Sequence, residues 1–293
     1  MSNIALIEPV QRPEVQREII PASAIGVIER PLSPVAKLLR HGAFRKGLLL
    51  IFLAAIWEVY GRYLDNPLLF PSFSETAGAF IEGLRSGELL QRTFSSVQTL
   101  LMGYAIGIAL ASLLTVFAIS TRIGSDVMET LTSMFNPLPA IALLPLALIW
   151  FGLGAGSIIF VLTHSVLWAV ALNTHSGFRA TSTTLRMVGR NYGLRGWRYI
   201  QKILIPAAFP SILTGLKIGW AFAWRTLIAA EMVFGVSSGS GGLGWFIFQS
   251  KNQLDIPSVF AGLLSVILIG LFVENFVFRT IEDRTVRRWA MQS

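Results

Sequence analysis

The sequence contains no cysteine. Disulfides, thiolate metal sites and cysteine nucleophiles are excluded, and thiol usage says nothing of the redox compartment. Charge is scarce as well. Only 14% of the 293 residues are Asp, Glu, Lys or Arg, against 53% hydrophobic. A soluble domain usually carries about a quarter charged residues. There is too little polar surface here to cover a globule in water. No phosphate loop of the form Gly-x-x-x-x-Gly-Lys-Ser/Thr and no His-Glu-x-x-His motif occurs. ATP is therefore not expected to bind this chain by that loop. The histidines stand alone, His164 and His175 reading as ordinary polar residues of the fourth span and its end, and they give no metal signal. No cofactor and no metal is expected.

What is present is apolar sequence in long blocks. Each is near the length of roughly 20 residues that crosses the hydrocarbon core as a helix. The blocks run over residues 47–64, 97–119, 128–151, 157–173, 211–236 and 258–278. They predict an all-α, polytopic membrane protein with six transmembrane helices. The domain division is a polar N-terminal tail (1–46), a membrane domain (47–278) and a C-terminal tail (279–293). Between the first two blocks, Ala77, Phe80, Ile81 and Leu84 recur at helical spacing and predict a short amphipathic helix at the membrane surface. Gly103, Gly107, Ala111 and Ser112 suit close helix packing in the second block. Pro137, Pro139 and Pro145 predict a kinked and buried third span. The stretch Ser237–Gly244 reads as a glycine/serine loop, followed by a linker to Pro257.

The net charge is +8. Placement of the bases separates nucleic acid from membrane as the cause. With the N-terminus inside, 18 of the 24 bases fall in segments facing the cytoplasm, and four (Arg62, Arg85, Arg92 and Lys251) face outward. That asymmetry predicts both termini in the cytoplasm and accounts for the basic balance without nucleic acid.

The segment between the fourth and fifth spans carries six of the inward bases and no acid from Arg179 to Lys202. A plain connection needs only a handful of residues. This one is far longer. Leu185, Val188, Tyr192 and Leu194 precede a bend at Gly193–Gly196, and Trp197, Ile200, Ile203 and Leu204 follow it at helical spacing. The pattern predicts two short amphipathic helices closed by Pro206. Their apolar face must meet lipid or a partner.

Within this segment, Met187-Val188-Gly189-Arg-Asn-Tyr192-Gly193, nine residues, then Ile203-Leu-Ile205-Pro206 resembles the Glu-Ala-Ala loop of the permeases of ATP-binding-cassette importers. Gly193, Ile203 and Pro206 fall in register. Ile205 replaces the family's Leu, and Met187, Val188 and Gly189 stand where the family has Glu-Ala-Ala. Over residues 45–285 the chain looks closest to permeases for taurine, alkanesulfonates and nitrate. Asn136-Pro-Leu-Pro-Ala140, Trp150-Phe-Gly-Leu-Gly154, Leu213-Thr-Gly-Leu-Lys217 and Ala229-Ala-Glu231 carry the likeness.

The resemblance implies a type I importer permease fold in a bacterial inner membrane. It implies a homodimer of permease copies, two cytoplasmic subunits that bind ATP and magnesium, and a periplasmic solute-binding protein. The coupling loop would be residues 179–206, contacting the ATPase through Met187, Val188, Gly189, Tyr192, Gly193, Leu194, Trp197, Ile200, Ile203, Ile205 and Pro206. ATP hydrolysis would reside in the partner, and the solute would be a small anion.

Glu58, Lys217, Arg225, Glu231 and Glu274 lie within apolar blocks, where a charge costs several kcal/mol unless paired or wet. Lys217, Trp224, Arg225 and Glu231 are the candidate pathway residues. Arg225 suits planar, bidentate contact with an oxyanion. The competing reading pairs Arg225 with Glu231, Glu274 or Glu58 to fix helix packing. An ion-gradient transporter and an intramembrane enzyme are the alternatives for the whole chain. The first lacks a visible inverted repeat, and the second lacks a paired set of catalytic groups.

Overall fold

The computed structural model describes residues 42–234 and 241–286, and among these every regular element is helical. Residues 1–41 of the expected tail, the loop residues 235–240 and Arg287 and Arg288 of the C-terminal tail lie outside the described part. Long apolar helices are the only way for a single segment to satisfy its backbone inside lipid.

The first helix, α1, runs Gly42–Leu64. Contacts divide the chain between Leu53 and Ala54, inside α1. Its first part, taken by itself, is apolar and exposed at Leu49, Leu50, Ile51 and Phe52. From Ala54 onward α1 is pinned to α2, Phe73–Arg85. The Trp57 indole donates to the Pro71 carbonyl at 2.9 Å. Glu58 accepts from the Ser74 backbone N–H at 2.8 Å and its hydroxyl at 2.9 Å. Ser72 and Glu75 form a capping box that starts α2, each satisfying the other's backbone N–H.

Among the described residues five helices are long and apolar enough to cross a membrane, and a bent pair of helices brings the number to six when its halves are counted together as one span. The second span, α3, is Glu88–Ser120. At 33 residues it reaches about 50 Å, more than the hydrocarbon core is thick. It starts nine residues before the apolar block because Glu88 and Arg92 pair along the helix at 3.1 Å.

The third span is broken. Its first half, α4, is Arg122–Phe135, and its second comprises a 3-10 turn Ala140–Leu143 and α5, Leu144–Phe151. The halves are bent by 88°. Pro137 and Pro139 sit at the break, where an unbroken helix would lack their donors. The kink is present. The expected burial is not: Ile149, Trp150 and Phe151 are exposed on the chain's surface. The fourth span, α6, is Ala155–Ala180 and forms the centre of the bundle. Its neighbours approach closely because glycine faces it. A Cβ on Gly107 would lie 2.6 Å from the Val166 Cβ, and one on Gly215 would lie 2.8 Å from the Asn173 Cβ.

After α6 come α7, Thr183–Asn191, and α8, Gly196–Tyr199. The sequence places Pro206 as the end of a lever, and here the structure differs. One helical run spans Gly196–Val233. It passes through a π turn, Ile200–Leu204, into α9, Ile205–Phe234. In that turn the Ile205 N–H bonds the Ile200 carbonyl, one residue wider than an α-helix. The wider turn takes up the registry change at Pro206, so the helix continues.

The expected linker before Pro257 is also a helix. Residues Leu243–Asn252 form α10, with Leu243, Phe246, Ile247 and Ser250 buried on one face. Its wall, α11, is Ile256–Phe272 and runs through a second π turn, Val273–Phe278, into α12, Arg279–Arg284. The core joins α3, α5, α6, α9 and α10 through Leu100, Ala147, Val166, Leu227 and Leu243.

Candidate coupling surface and membrane cavity

At the end of the bundle where α6 stops and α9 begins, α7 and α8 form a small helical elbow. Ser182 caps α7, its hydroxyl accepting the Leu185 N–H at 3.3 Å. The other end closes with a Schellman turn. Leu194 N–H bonds the Gly189 carbonyl at 3.0 Å, and Gly193 N–H bonds the Arg190 carbonyl at 2.9 Å. Gly193 holds φ +70°, the left-handed conformation this turn requires. Gly189 is fitted for a different reason. A Cβ there would stand 2.8 Å from Ile203 Cγ1, so only glycine lets α7 fold back on the π turn. Arg186 fastens the elbow to α6 by donating to the Phe178 carbonyl at 2.6 Å and the Thr181 carbonyl at 3.1 Å.

The eleven expected contact residues divide into two groups. Met187, Val188, Tyr192 and Trp197 are exposed, Tyr192 by 82% and Trp197 by 57%. Gly193 is exposed between them, and Leu194 is half-buried. Gly189 and Ile200 are buried, and Ile203, Ile205 and Pro206 are half-buried. Ile200 and Leu204 cluster with Phe178 and Ala208, with Ile205 packed against them. The inner group anchors the elbow to the bundle; the outer group is exposed or half-buried, and Arg190, Arg195 and Arg198 of the same segment are exposed as well.

The candidate residues of the fifth span, and Glu274 of the sixth, have separate fates. Lys217 pairs with Glu282 at 2.5 Å, tying α9 to α12. Glu274 is exposed. Trp224 is buried, and its indole donates to the Val266 carbonyl at 3.2 Å. Glu231 is buried and joins three helices. The Ser96 hydroxyl of α3 lies 2.8 Å from both carboxyl oxygens, and Ser96 in turn accepts the Leu243 N–H at 2.8 Å. The Gly244 N–H donates to Glu231 Oε2 at 2.9 Å. The carboxyl group thus caps the N-terminus of α10, where free backbone N–H groups favour an acid. Gly242 leaves it room, since a Cβ there would lie 2.0 Å from Glu231 Oε1.

Arg225 makes none of the expected ion pairs. Among the described residues it has no acidic partner. Its Nε donates to the Ala221 carbonyl at 3.0 Å, and the guanidinium lies over the Phe222 ring, 5.3 Å from the centroid. It lines a cavity of about 370 Å³ together with Asn136, His164, Trp168, Phe222 and Thr226. Of the four candidate pathway residues, only Arg225 borders this cavity. The broken third span supplies one wall through residues 135–141. Sequence reasoning passed over His164 and Trp168 as lining residues. Their spacing of four, placing both on one face of α6, is the signal that was available.

Residues 103–287 match the family described as "Binding-protein-dependent transport system inner membrane component". A putative ABC transporter permease of Methanocaldococcus jannaschii is 32% identical over 233 residues, 78% of this chain and 86% of that protein. A putative aliphatic sulfonates transport permease, SsuC of Bacillus subtilis, is 28% identical over 85% of this chain and 89% of its own length. Permeases named for nitrate import in Synechocystis and for taurine transport in Escherichia coli are each 26% identical. Among solved structures, the inward-facing MetNI methionine ABC transporter shares the fold at a TM-score of 0.51 and 19% identity, covering 70% of this chain and 97% of that one. The chain belongs to the binding-protein-dependent inner-membrane permeases: it is a multi-pass transport subunit of an ABC importer.

Proposed function

We propose that this subunit carries a small oxyanion of the sulfonate type across the inner membrane by alternating access. It works as a pair of identical copies, with both termini in the cytoplasm. Two cytoplasmic subunits bind ATP and magnesium and hydrolyse ATP; a periplasmic protein delivers the solute; the permease itself needs no cofactor. Residues 179–206 are the coupling segment. ATP binding draws the two ATPases together, the elbows follow, and the spans rock.

The observation that carries this reading is the outer face of the elbow. Met187, Val188 and Tyr192 before the Gly193 turn and Trp197 after it are each exposed, at the end of the bundle that the lysine and arginine asymmetry assigns to the cytoplasm. Exposed aromatic residues and arginines on one short segment suit a protein groove. The elbow's own hydrogen bonds and its inner anchors make it stiff enough to transmit a push. The names of the sulfonate, taurine and nitrate relatives support a small anion.

Uptake by sealed vesicles containing permease, ATPase and binding protein tests the reading. Accumulation of an organic sulfonate is expected to require ATP and to survive a protonophore. Accumulation driven by a proton gradient without ATP would support the secondary-transporter alternative instead.

A further inference from the structure

The cavity beside Arg225 contains more unused hydrogen-bonding capacity than a packing defect explains. Arg225 stands eight residues before the last residue of its span, Val233, or about 12 Å inside that end of the helix. A lone cation at such depth is expensive unless something compensates it. Its Nε is used by its own helix, and no acid approaches it. Two more polar side chains on the cavity wall are also unsatisfied. Both ring nitrogens of His164 and the indole Nε1 of Trp168 are buried without a hydrogen-bond partner. Trp168 is 9% exposed. Buried polar groups without a partner are rare in folded proteins and cost free energy, and two such side chains border one cavity beside the exposed Arg225, a combination that calls for a ligand.

The remaining wall is aromatic and kept in place. Phe135, the last residue of α4 before the break, stacks on Trp168 with centroids 5.4 Å apart at 11° and meets the His164 ring edge-on at 6.3 Å. Phe222 lies under the Arg225 guanidinium at 5.3 Å. Ser165 and Thr226, 3.3 Å apart through their hydroxyls, hold α6 and α9 at fixed separation at the same level. The result is a cationic fork and nearby N–H donors at an aromatic surface. The volume of about 370 Å³ falls within the range of small-ligand sites.

We infer that this cavity is a binding site, within the membrane, for a small organic oxyanion: Arg225 holds the charged head through its free terminal nitrogens, Trp168 Nε1 and His164 complete the head's hydrogen bonds, and Phe135 and Phe222 face its carbon body. A sulfonate or carboxylate with an apolar body satisfies both halves. A bare inorganic anion uses only the polar half. Because Phe135 belongs to the hinge of the broken span, the site lies where that hinge can cover or uncover it. The inference rests on the anion-transport reading and makes it specific as to ligand class.

The test is equilibrium binding of radiolabelled benzenesulfonate to the full chain, assembled with its ATPase partner in lipid nanodiscs without the binding protein. ATP-driven uptake is measured in parallel. Arg225→Lys keeps the charge but loses the fork, and should weaken binding by about tenfold or more. Trp168→Phe keeps the ring but loses the donor, and should weaken it by about fivefold. Both variants should remain inserted and assembled with the ATPase. Nitrate should compete poorly. No binding by the unmodified chain, or binding that ignores both substitutions, would overturn the site. Nitrate competing as well as an organic sulfonate would overturn the role of the aromatic wall. If binding fails while ATP-driven uptake persists, the importer reading stands and the site falls. If binding holds while uptake does not need ATP, the outcome is reversed.

Discussion

Replacing Tyr192 and Trp197 together with alanine is expected to weaken capture of the ATPase subunits by about 100-fold or more and to abolish ATP-driven uptake, with the permease still inserted. Central aromatic anchors commonly contribute about 2 kcal/mol or more each to an interface, and each 1.4 kcal/mol is a factor of ten. Neither side chain supports the fold. Tyr192 is 82% exposed, and Trp197 is 57% exposed, on the opposite side of the Gly193 turn. The elbow's shape comes from Gly193, Gly189, Arg186 and the cluster around Ile200, all of which the double variant leaves intact. Co-purification of tagged ATPase with the variant measures the loss directly. Thermal unfolding of the permease should change little. Full retention of the ATPase by the double variant would contradict the assigned docking face.

Glu231→Ala should be the most damaging single change inside the bundle. It leaves the buried Ser96 hydroxyl and the Gly244 N–H without their acceptor and opens a void beside Gly242. Each unsatisfied buried group costs about 1–3 kcal/mol, giving about 2–5 kcal/mol for the two with partial relaxation. At about 2–4 °C per kcal/mol in a chain of this size, the unfolding midpoint in detergent should fall by roughly 5–15 °C. Glu231→Gln keeps a carbonyl oxygen for the Gly244 N–H and should lose less than half as much. Equal midpoints for the unmodified protein and Glu231→Ala would show that α10 is held without the clasp.

Much of the architecture is written in the hydropathy of the chain. Among the described residues all six apolar blocks are helical, five as single helices long enough to cross a membrane and the third as a bent pair. Composition resolves this because lipid imposes one rule on every spanning residue. Helix ends were harder to place. The start of α3 at Glu88 escaped the apolar count because Arg92 and Glu88 satisfy each other. The helix α10 looks like a linker in the sequence because its apolar face, Leu243, Phe246 and Ile247, is short and follows a run of glycines. Pro206 suggests a stop, because the usual effect of proline on a helix is termination. The π turn at Ile200–Leu204 provides the other outcome, and no local residue pattern announces it.

The functional segments were legible to different depths. The glycine-to-proline spacing of the elbow was visible, and Gly193 proved to be a left-handed turn residue. That Ile200 points inward was not visible, since the same apolar spacing serves docking and anchoring equally. Lys217, Arg225 and Glu231 share one span, and the sequence distinguishes Arg225 by its planar fork but shows no partner for any of the three. Their partners, Glu282, none and Ser96, come from α12, from nowhere among the described residues and from α3. Such distant pairings are set by tertiary packing and leave no trace in a linear pattern. The cavity followed the same logic: His164 and Trp168 gain meaning only when Phe135 and Arg225 arrive from other spans.

The chain's lack of cysteine makes its central claim directly measurable, because a single introduced thiol has no competitor. Tyr192→Cys places that thiol at the tip of the elbow. A membrane-impermeant maleimide should modify it in inside-out vesicles, not in intact cells, and bound ATPase should block the reaction. Labelling from the periplasmic face, or labelling that bound ATPase leaves unchanged, would contradict the account.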